Sequence, residues 1–467
     1  MARAVHLPVD AAAVFAQGLA QIRAENEVPA SFPLAVLEAA DIAAKRTPGA
    51  EHIDRTELGF VTLDPAMSTD LDQAFTIEQA AGGDLLLRYA IADVGWFVRA
   101  GDPLDHEAWT RGVTTYMPDG RAGLYPPALS EAAASLLPDG PRPAVVFMVR
   151  VGSDGEVALD GAERALIRSR AKLGYETADA SQLPVMFHEF AARITAAEDR
   201  RGASRTETPE QEVVADGTSD YHIEFRPRLA NEDANAAMSL ATNMAVAATL
   251  FAAHTGLFRV MPEPDEARVR SLRYTARALG LQWPDGLDLR SFERTLDVNN
   301  PVNAAFLIAA RRAAGGASYA PYTQGDIPWH SAMAATYSHG TAPLRRLGDR
   351  YVVAAALAVA NANAVPDDVQ QAFARLPAVM EHADARAARI ERSVIDMVET
   401  VMLHGREGQS FDAVVVDHDD RGARIQLCDP AVVTRVSAHG VQPGDSIRVR
   451  LVTSDPLRRT VTFERVS

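Results

Sequence analysis

Three carboxylates, Asp64, Asp70 and Asp72, crowd one short stretch of this chain, Leu63-Asp64-Pro65-Ala66-Met67-Ser68-Thr69-Asp70-Leu71-Asp72-Gln73-Ala74. Like charges held this close repel one another unless a cation lies among them. Oxygen-only ligands suit a hard ion such as Mg²⁺, which keeps waters and substrate phosphate in its remaining positions. Such a site can activate water and stabilise both oxygens of a phosphodiester displacement. The spacing equally allows a solvated acidic turn with Asp70 capping a helix. It does not allow an EF-hand, whose register and distal Glu are absent.

A second stretch supplies opposite charge: Tyr337-Ser338-His339-Gly340-Thr341-Ala342-Pro343-Leu344-Arg345-Arg346-Leu347-Gly348-Asp349-Arg350. Pro343 predicts a helix start that leaves Arg345 and Arg346 in its first turn. Cations there oppose the helix dipole and require an anion nearby. A phosphate in transfer would serve, and so would surface carboxylates.

The elements that must position these residues follow from hydrophobic period. Gly59–Leu63, Leu85–Ala92 and Ala144–Val149 read as buried strands, the first delivering Asp64 to its end. Helical patterns run over Ala11–Ile22, Ala30–Ala44, Glu232–His254, Pro264–Leu279, Val302–Ala314, Leu347–Ala364 and about Val379 to Leu403. After Gly405, five short alternating segments separated by turn residues predict a small β-barrel of OB type. The expected organisation is an α+β multidomain chain: a helical N-terminal module over 1–50, possible as a helix-turn-helix, a catalytic domain over 51–404 and the barrel over 405–467.

Composition narrows the class. The 467 residues are 47% hydrophobic and 23% charged, which excludes wholesale disorder and low complexity. The net charge of −16 argues against indiscriminate polyanion binding, so any phosphate contact must come from local clusters. Apart from Lys45 and Lys172 the positive charge is arginine, the better bidentate phosphate ligand. No apolar run predicts a membrane span or a signal peptide, and the lone Cys428 excludes a disulfide framework; a cytoplasmic location is the default expectation. His418-Asp419-Asp420 falls at a predicted hairpin turn and reads as structural rather than metal-binding.

Taken together, the ordered motifs resemble the RNase II family of RNB-domain 3′-to-5′ exoribonucleases. Leu63-Asp64-x5-Asp70-Leu71-Asp72-Gln73-Ala74 is similar to the family's I-D-x5-D-x-D-D-A loop, and Tyr337–Asp349 to its Y-x-H-F-T-S-P-I-R-R-Y-x-D motif. Between them, Ala90–Val94, Pro103–Ala108, Arg111–Pro118 and Leu124–Ser130 match further family segments in order. The tail resembles the family's C-terminal S1 domain, an RNA-binding OB-fold.

The resemblance implies that Asp64, Asp70, Asp72 and Gln73 hold Mg²⁺, with Mn²⁺ as an alternative, and that Asp72 and Arg345 carry the chemistry. It implies that Tyr116, Tyr175 and Arg346 meet RNA, Tyr116 by stacking on the 3′-terminal base. The implied protein is a monomeric, non-membrane hydrolase that degrades single-stranded RNA to 5′-monophosphates. Arg164, Arg168, Arg170, Arg386, Arg389 and Arg392 are candidates to line its path. Three departures matter: Gln73 stands where the family has Asp, Gly340, Ala342 and Leu347 alter the arginine motif, and Asn235 stands where a glutamate lies near the sugar. The last bears on RNA-over-DNA selection. The family's cold-shock barrels have no counterpart ahead of the metal loop, leaving their clamp role to the helical N-terminus and the S1 tail. These departures also motivate a competing expectation, an RNB-fold adaptor that binds RNA without cleaving it.

Overall fold

Apolar-rich segments build a five-stranded sheet in the order Ile53–Asp54, Val157–Ile167, Arg142–Val151, Leu85–Ala92, Gln73–Gln79. The computed structural model describes residues 5–6, 11–203, 211–215, 221–225, 229–297, 300–419, 422–428, 432–438, 440–442 and 444–466. The sheet is antiparallel except at the edge, where Ile53–Asp54 runs parallel to its neighbour. Leu85–Ala92 is buried at Tyr89, Ala90, Ile91 and Ala92 together, as a central strand covered on both faces must be. Beside the sheet, Thr62–Asp64 pairs in parallel with Lys172–Gly174, setting Asp64 opposite Gly174.

The helix Ala230–Ala252 packs on strand Val157–Ile167 and on the helices Phe187–Arg201 and Leu347–Ala360. By length and composition this helix could cross a bilayer; here Met238, Ala241, Ala245 and Leu250 lie in the core.

Prolines shift two predicted boundaries. The second N-terminal helix begins at Leu34 rather than Ala30, because the residue before Pro33 is steered away from helical backbone. The charged helix begins at Asp367, just after Pro366, and runs 37 residues to Leu403 with Pro377 inside it. The third correction concerns the arginine motif. The helix starts at Leu347, so Arg345 sits in the preceding turn and Arg346 is the extended cap residue, bridged to Val113. Neither arginine lies within the first helical turn, where Asp349 instead supplies a favourable negative charge.

The N-terminal helix Ala11–Glu25 inserts Phe15, Leu19 and Ile22 against Ile390, Val394, Met397 and Val398 of the long helix. Met117, from the hairpin Thr115–Met117/Gly120–Ala122, joins the same cluster, and Arg23 pairs with Asp119 in the hairpin turn at 2.7 Å. The second helix, Leu34–Ala44, lies on the helix Pro103–Arg111.

The tail is a closed barrel of Ser410–Asp419, Gly422–Leu427, Val433–Ser437, Ser446–Asp455 and Thr460–Arg465. Its aromatics Phe411 and Phe463 meet edge to face in the barrel core, 5.9 Å apart. Asp419 pairs with Gly422 across the expected hairpin turn; Asp420 and Arg421 lie outside the described residues. Docking runs through Ser454 Oγ, which donates to the Thr400 carbonyl at 2.7 Å, and Arg459, which pairs with Glu25 at 2.5 Å.

Candidate active site

Asp64 reaches the site because its strand stops there: Tyr175 N–H donates to the Asp64 carbonyl at 3.2 Å, closing the parallel pair. Its side-chain Oδ2 is buried without a hydrogen-bond partner. Burial pushes its pKa up to about 7, with Arg345 pulling it down and Asp70 pushing it further up.

The following loop is fixed from both sides. Ser135 Oγ accepts from Leu71 N–H at 2.9 Å and donates to the Thr69 carbonyl at 2.7 Å, while Leu136 N–H donates to the Leu71 carbonyl. Ala92 N–H, at the end of the central strand, donates to the Asp72 carbonyl at 2.9 Å. Asp70 leads into the strand Gln73–Gln79 rather than a helix, so it caps nothing.

Asp72 is 4% exposed. Its Oδ1 accepts from Leu344 N–H at 2.8 Å, across 272 positions of sequence, and its Oδ2 lies 3.5 Å from Arg345 Nε. Burial raises its pKa to about 7 against the pull of Arg345. Arg345 keeps 45% of its side chain exposed, facing outward from the buried carboxylate. Arg346 turns away: its guanidinium donates to Asp349 at 2.7 and 3.0 Å. The two arginine-motif residues predicted together therefore part company.

Gln73 donates its side-chain amide to the Thr341 carbonyl, tying the acidic loop to the arginine loop. Asp70 faces the hairpin, where Arg121 pairs with it at 2.5 Å and the Tyr116 hydroxyl donates to it at 3.4 Å. Tyr116 is 53% exposed. Tyr175 OH accepts from Asn235 Nδ2 at 3.0 Å, and burial beside Asp64 pushes its pKa to about 12.

Among the described residues, no three His, Cys, Asp or Glu side chains gather closely enough to chelate one ion. The donor set still fits a hard cation. Mg²⁺ is commonly held by one or two carboxylates, with water and phosphate completing its shell. Asp64 with its orphan oxygen and Asp72 supply those carboxylates, and each has been pushed toward protonation in a way a cation would reverse.

Sequence reasoning singled out Asn235 but missed the rest of the support for this site. Asn235, Ser239 and Asn243 recur every fourth residue along one face of an apolar helix, and each holds a tyrosine. Asn235 holds Tyr175, Ser239 bonds Tyr89 OH at 2.7 Å, and Asn243 donates to Tyr337 OH at 3.1 Å while accepting from Gly340 N–H at 2.9 Å. That polar stripe was the available signal. Of the proposed path arginines, Arg389 and Arg392 are exposed, as are Arg168 and Arg170. Arg164 is tied to Asp93 at 2.8 Å, and Arg386 donates to the Arg111 carbonyl at 2.7 Å.

This geometry can be set beside known proteins. Residues 53–360 match the RNB domain, and residues 409–466 match the RNase II-type exonuclease C-terminal S1 domain. The chain belongs to the RNB-domain family. It is 26% identical over 491 residues to Ribonuclease R of Aquifex aeolicus, covering 94% of this chain and 69% of that protein. It is 25% identical over 441 residues to Ribonuclease R of Escherichia coli, covering 86% of this chain and 54% of the relative. This RNB chain thus spans between about half and two thirds of the length of such relatives.

The solved structure of Mycoplasma genitalium RNase R in complex with ribose-methylated single-stranded RNA superposes with a TM-score of 0.85 at 19% identity, covering 97% of this chain and 78% of that one. Yeast Ssd1, a pseudonuclease, superposes at 0.68 with 16% identity, covering 90% of this chain and 55% of that one. Nucleases of the RNase II family are generally metal-dependent. The RNB fold can therefore carry a nuclease or lack the activity, and the site must decide which.

Proposed function

We propose that this chain is a hydrolytic 3′-to-5′ exoribonuclease that degrades single-stranded RNA to 5′-monophosphates with the help of Mg²⁺ or Mn²⁺. The observation that carries the reading is the meeting of buried Asp72 with half-exposed Arg345, a carboxylate and a guanidinium brought within 3.5 Å and left incompletely paired. Asp64 and Asp72 would hold the ion, which when bound supplies an activated water and charge neutralisation at the scissile phosphate.

The chain's own groups do the rest. Leu344 N–H fixes the Asp72 carboxylate, so that its second oxygen stays directed toward Arg345. The exposed guanidinium of Arg345 orients the phosphate and stabilises charge as it develops on the oxygens. Tyr116 stacks beneath the last base, which any of the four bases permits. Tyr175, oriented by Asn235, meets the sugar. Exposed Arg389 and Arg392 attract the following phosphates.

A second reading rests on a specific observation: Gln73 is tied to Thr341 and Asp70 to Arg121, so two of the four ligands that the family resemblance implies are engaged by other side-chain or backbone groups. On this reading the chain is an RNA-binding adaptor without turnover. End-labelled single-stranded RNA incubated with Mg²⁺ or Mn²⁺ separates the two. A ladder shortening from the 3′ end, abolished by Asp72→Asn with RNA binding retained, is the result expected of the enzyme. A stable shifted complex without products establishes the adaptor.

A further inference from the structure

Arg121 stands between two acids. Its Nη1 pairs with Asp70 Oδ1 at 2.5 Å, and its Nη2 pairs with Glu131 Oε1 at 2.9 Å and donates to Thr69 Oγ1, also at 2.9 Å. Thr69 in turn donates its hydroxyl to the other Glu131 oxygen at 3.1 Å, closing a ring of three side chains from which Asp70 hangs through Arg121. The Asp70 side chain is 12%, Arg121 25% and Glu131 33% exposed. One guanidinium thus balances an acid of the metal loop while keeping a second acid in hand.

Arg121 is also the cross-strand partner of Tyr116 in the hairpin, and the Tyr116 hydroxyl donates to the same Asp70 carboxylate. Both side chains of this cross-strand pair thus hold the hairpin to the acidic loop, Arg121 through Asp70 and Thr69, and Tyr116 through Asp70. Arg121 occupies Asp70 Oδ1 and Tyr116 occupies Oδ2, so a divalent cation that recruits this carboxylate competes with both hairpin groups for it.

We propose that Arg121 is a positioning residue that serves as an exchangeable counter-ion for the metal loop: it balances Asp70 while the ion is absent and is handed over to Glu131 and Thr69 when a divalent cation takes Asp70. Glu131 is the acceptor that keeps the displaced guanidinium from being stranded, because both of its oxygens already lie in the ring. The hand-over also frees Tyr116 from Asp70, so cation uptake and base stacking at the hairpin become linked. The inference deepens the metal-site reading above and rests on it.

The test is a Mn²⁺ titration of the 467-residue chain without RNA, followed by electron paramagnetic resonance of the free ion. Arg121→Gln keeps the reach and hydrogen bonding of the side chain but removes its charge. It is expected to tighten Mn²⁺ by about fivefold or more, and Glu131→Gln to weaken it by a similar factor. The double variant decides the mechanism. If Glu131 acts through Arg121, Glu131→Gln changes nothing further once Arg121→Gln is present.

Additive effects in the double variant overturn the hand-over, since simple proximity of two charges would then suffice. Wild-type binding that neither single variant alters also overturns it while leaving the metal site standing. Weaker binding in both single variants overturns it as well, because Arg121 would then be building the site rather than competing for it. A wild type that binds no Mn²⁺ overturns the metal reading and the hand-over together. Thermal melts of each variant confirm that folded protein was titrated, and Arg121→Lys, which keeps the charge, is expected to bind Mn²⁺ much as wild type does.

Discussion

Two buried aspartates flank the loop from Ala342 to Arg346, and they are treated differently. Asp72 accepts Leu344 N–H at 2.8 Å and Asp349 accepts Ala342 N–H at 2.8 Å, so each is anchored by the same short loop. Each then faces one of two consecutive arginines. Asp349, fully buried, receives Arg346 through two donors at 2.7 and 3.0 Å. Asp72 receives Arg345 through a single 3.5 Å contact, and burial leaves its pKa near 7. Where rigidity is needed the charges are closed upon each other, as they are again at Arg350 with Asp105. Where a ligand would enter, the pairing is left open. A carboxylate kept partly unsatisfied in a buried loop is poorly placed for stability and well placed for a cation.

Neutralising the two arginines should split the comparison most widely. Arg345→Ala is expected to lower turnover by about 10²–10³ while moving the melting temperature little, because its guanidinium is half exposed and loosely paired. Arg346→Ala is expected to destabilise the fold by about 3–5 kcal/mol, by stranding Asp349 as an unpaired buried charge. Single-turnover rates and denaturant melts on both variants check this; a stability loss at Arg345 equal to that at Arg346 would break the contrast.

The pH dependence is the next effect. Both Asp64 and Asp72 have pKa values raised from 3.8 to about 7, so the metal-free folded state binds more protons than the unfolded chain in between. Stability contributed by the protonated groups is present below about pH 4 and lost as pH rises through 7. Asp72→Asn removes its share, and without metal should therefore be more stable than wild type at pH 8 by about 2–4 kcal/mol, with the difference vanishing near pH 4. Added Mg²⁺ should reverse the order at pH 8, since the ion binds the ionised carboxylate. Melts of the two proteins across this range, with and without Mg²⁺, supply the measurement.

The smallest expected effect lies at the hairpin. Tyr116→Ala should weaken RNA binding by about 1–3 kcal/mol, the worth of one stacked base, and should do so equally for purine and pyrimidine 3′ ends. Equilibrium binding to Asp72→Asn protein carrying this second change isolates stacking from turnover. A base-dependent loss would point instead to edge recognition.

How much of this was legible beforehand follows from range. The strand Leu85–Ala92 could be read because its apolar run is local, the five barrel strands because their alternation is, and the carboxylates of the acidic loop because they lie within nine positions of each other. The parting of Arg345 from Arg346 was not readable, since it depends on a helix that begins one residue later than Arg346 and on which acid each side chain can reach. Arg121 and Glu131 carried no signal at all. The hairpin carries Arg121 to Asp70, and the turn Leu129–Ala133 brings Glu131 to Arg121.

The amino-acid order alone settled which chemistry is available here: oxygen ligands without sulfur, arginine in place of lysine, an α+β body and a barrel tail. Those are properties of residue type and short-range period, which survive in any conformation that satisfies backbone hydrogen bonding. Tertiary structure alone decided which charges are consumed and which are left for a ligand. That choice depends on burial and on distances of a few ångströms between segments hundreds of positions apart, where one guanidinium can satisfy a carboxylate completely or only lean toward it.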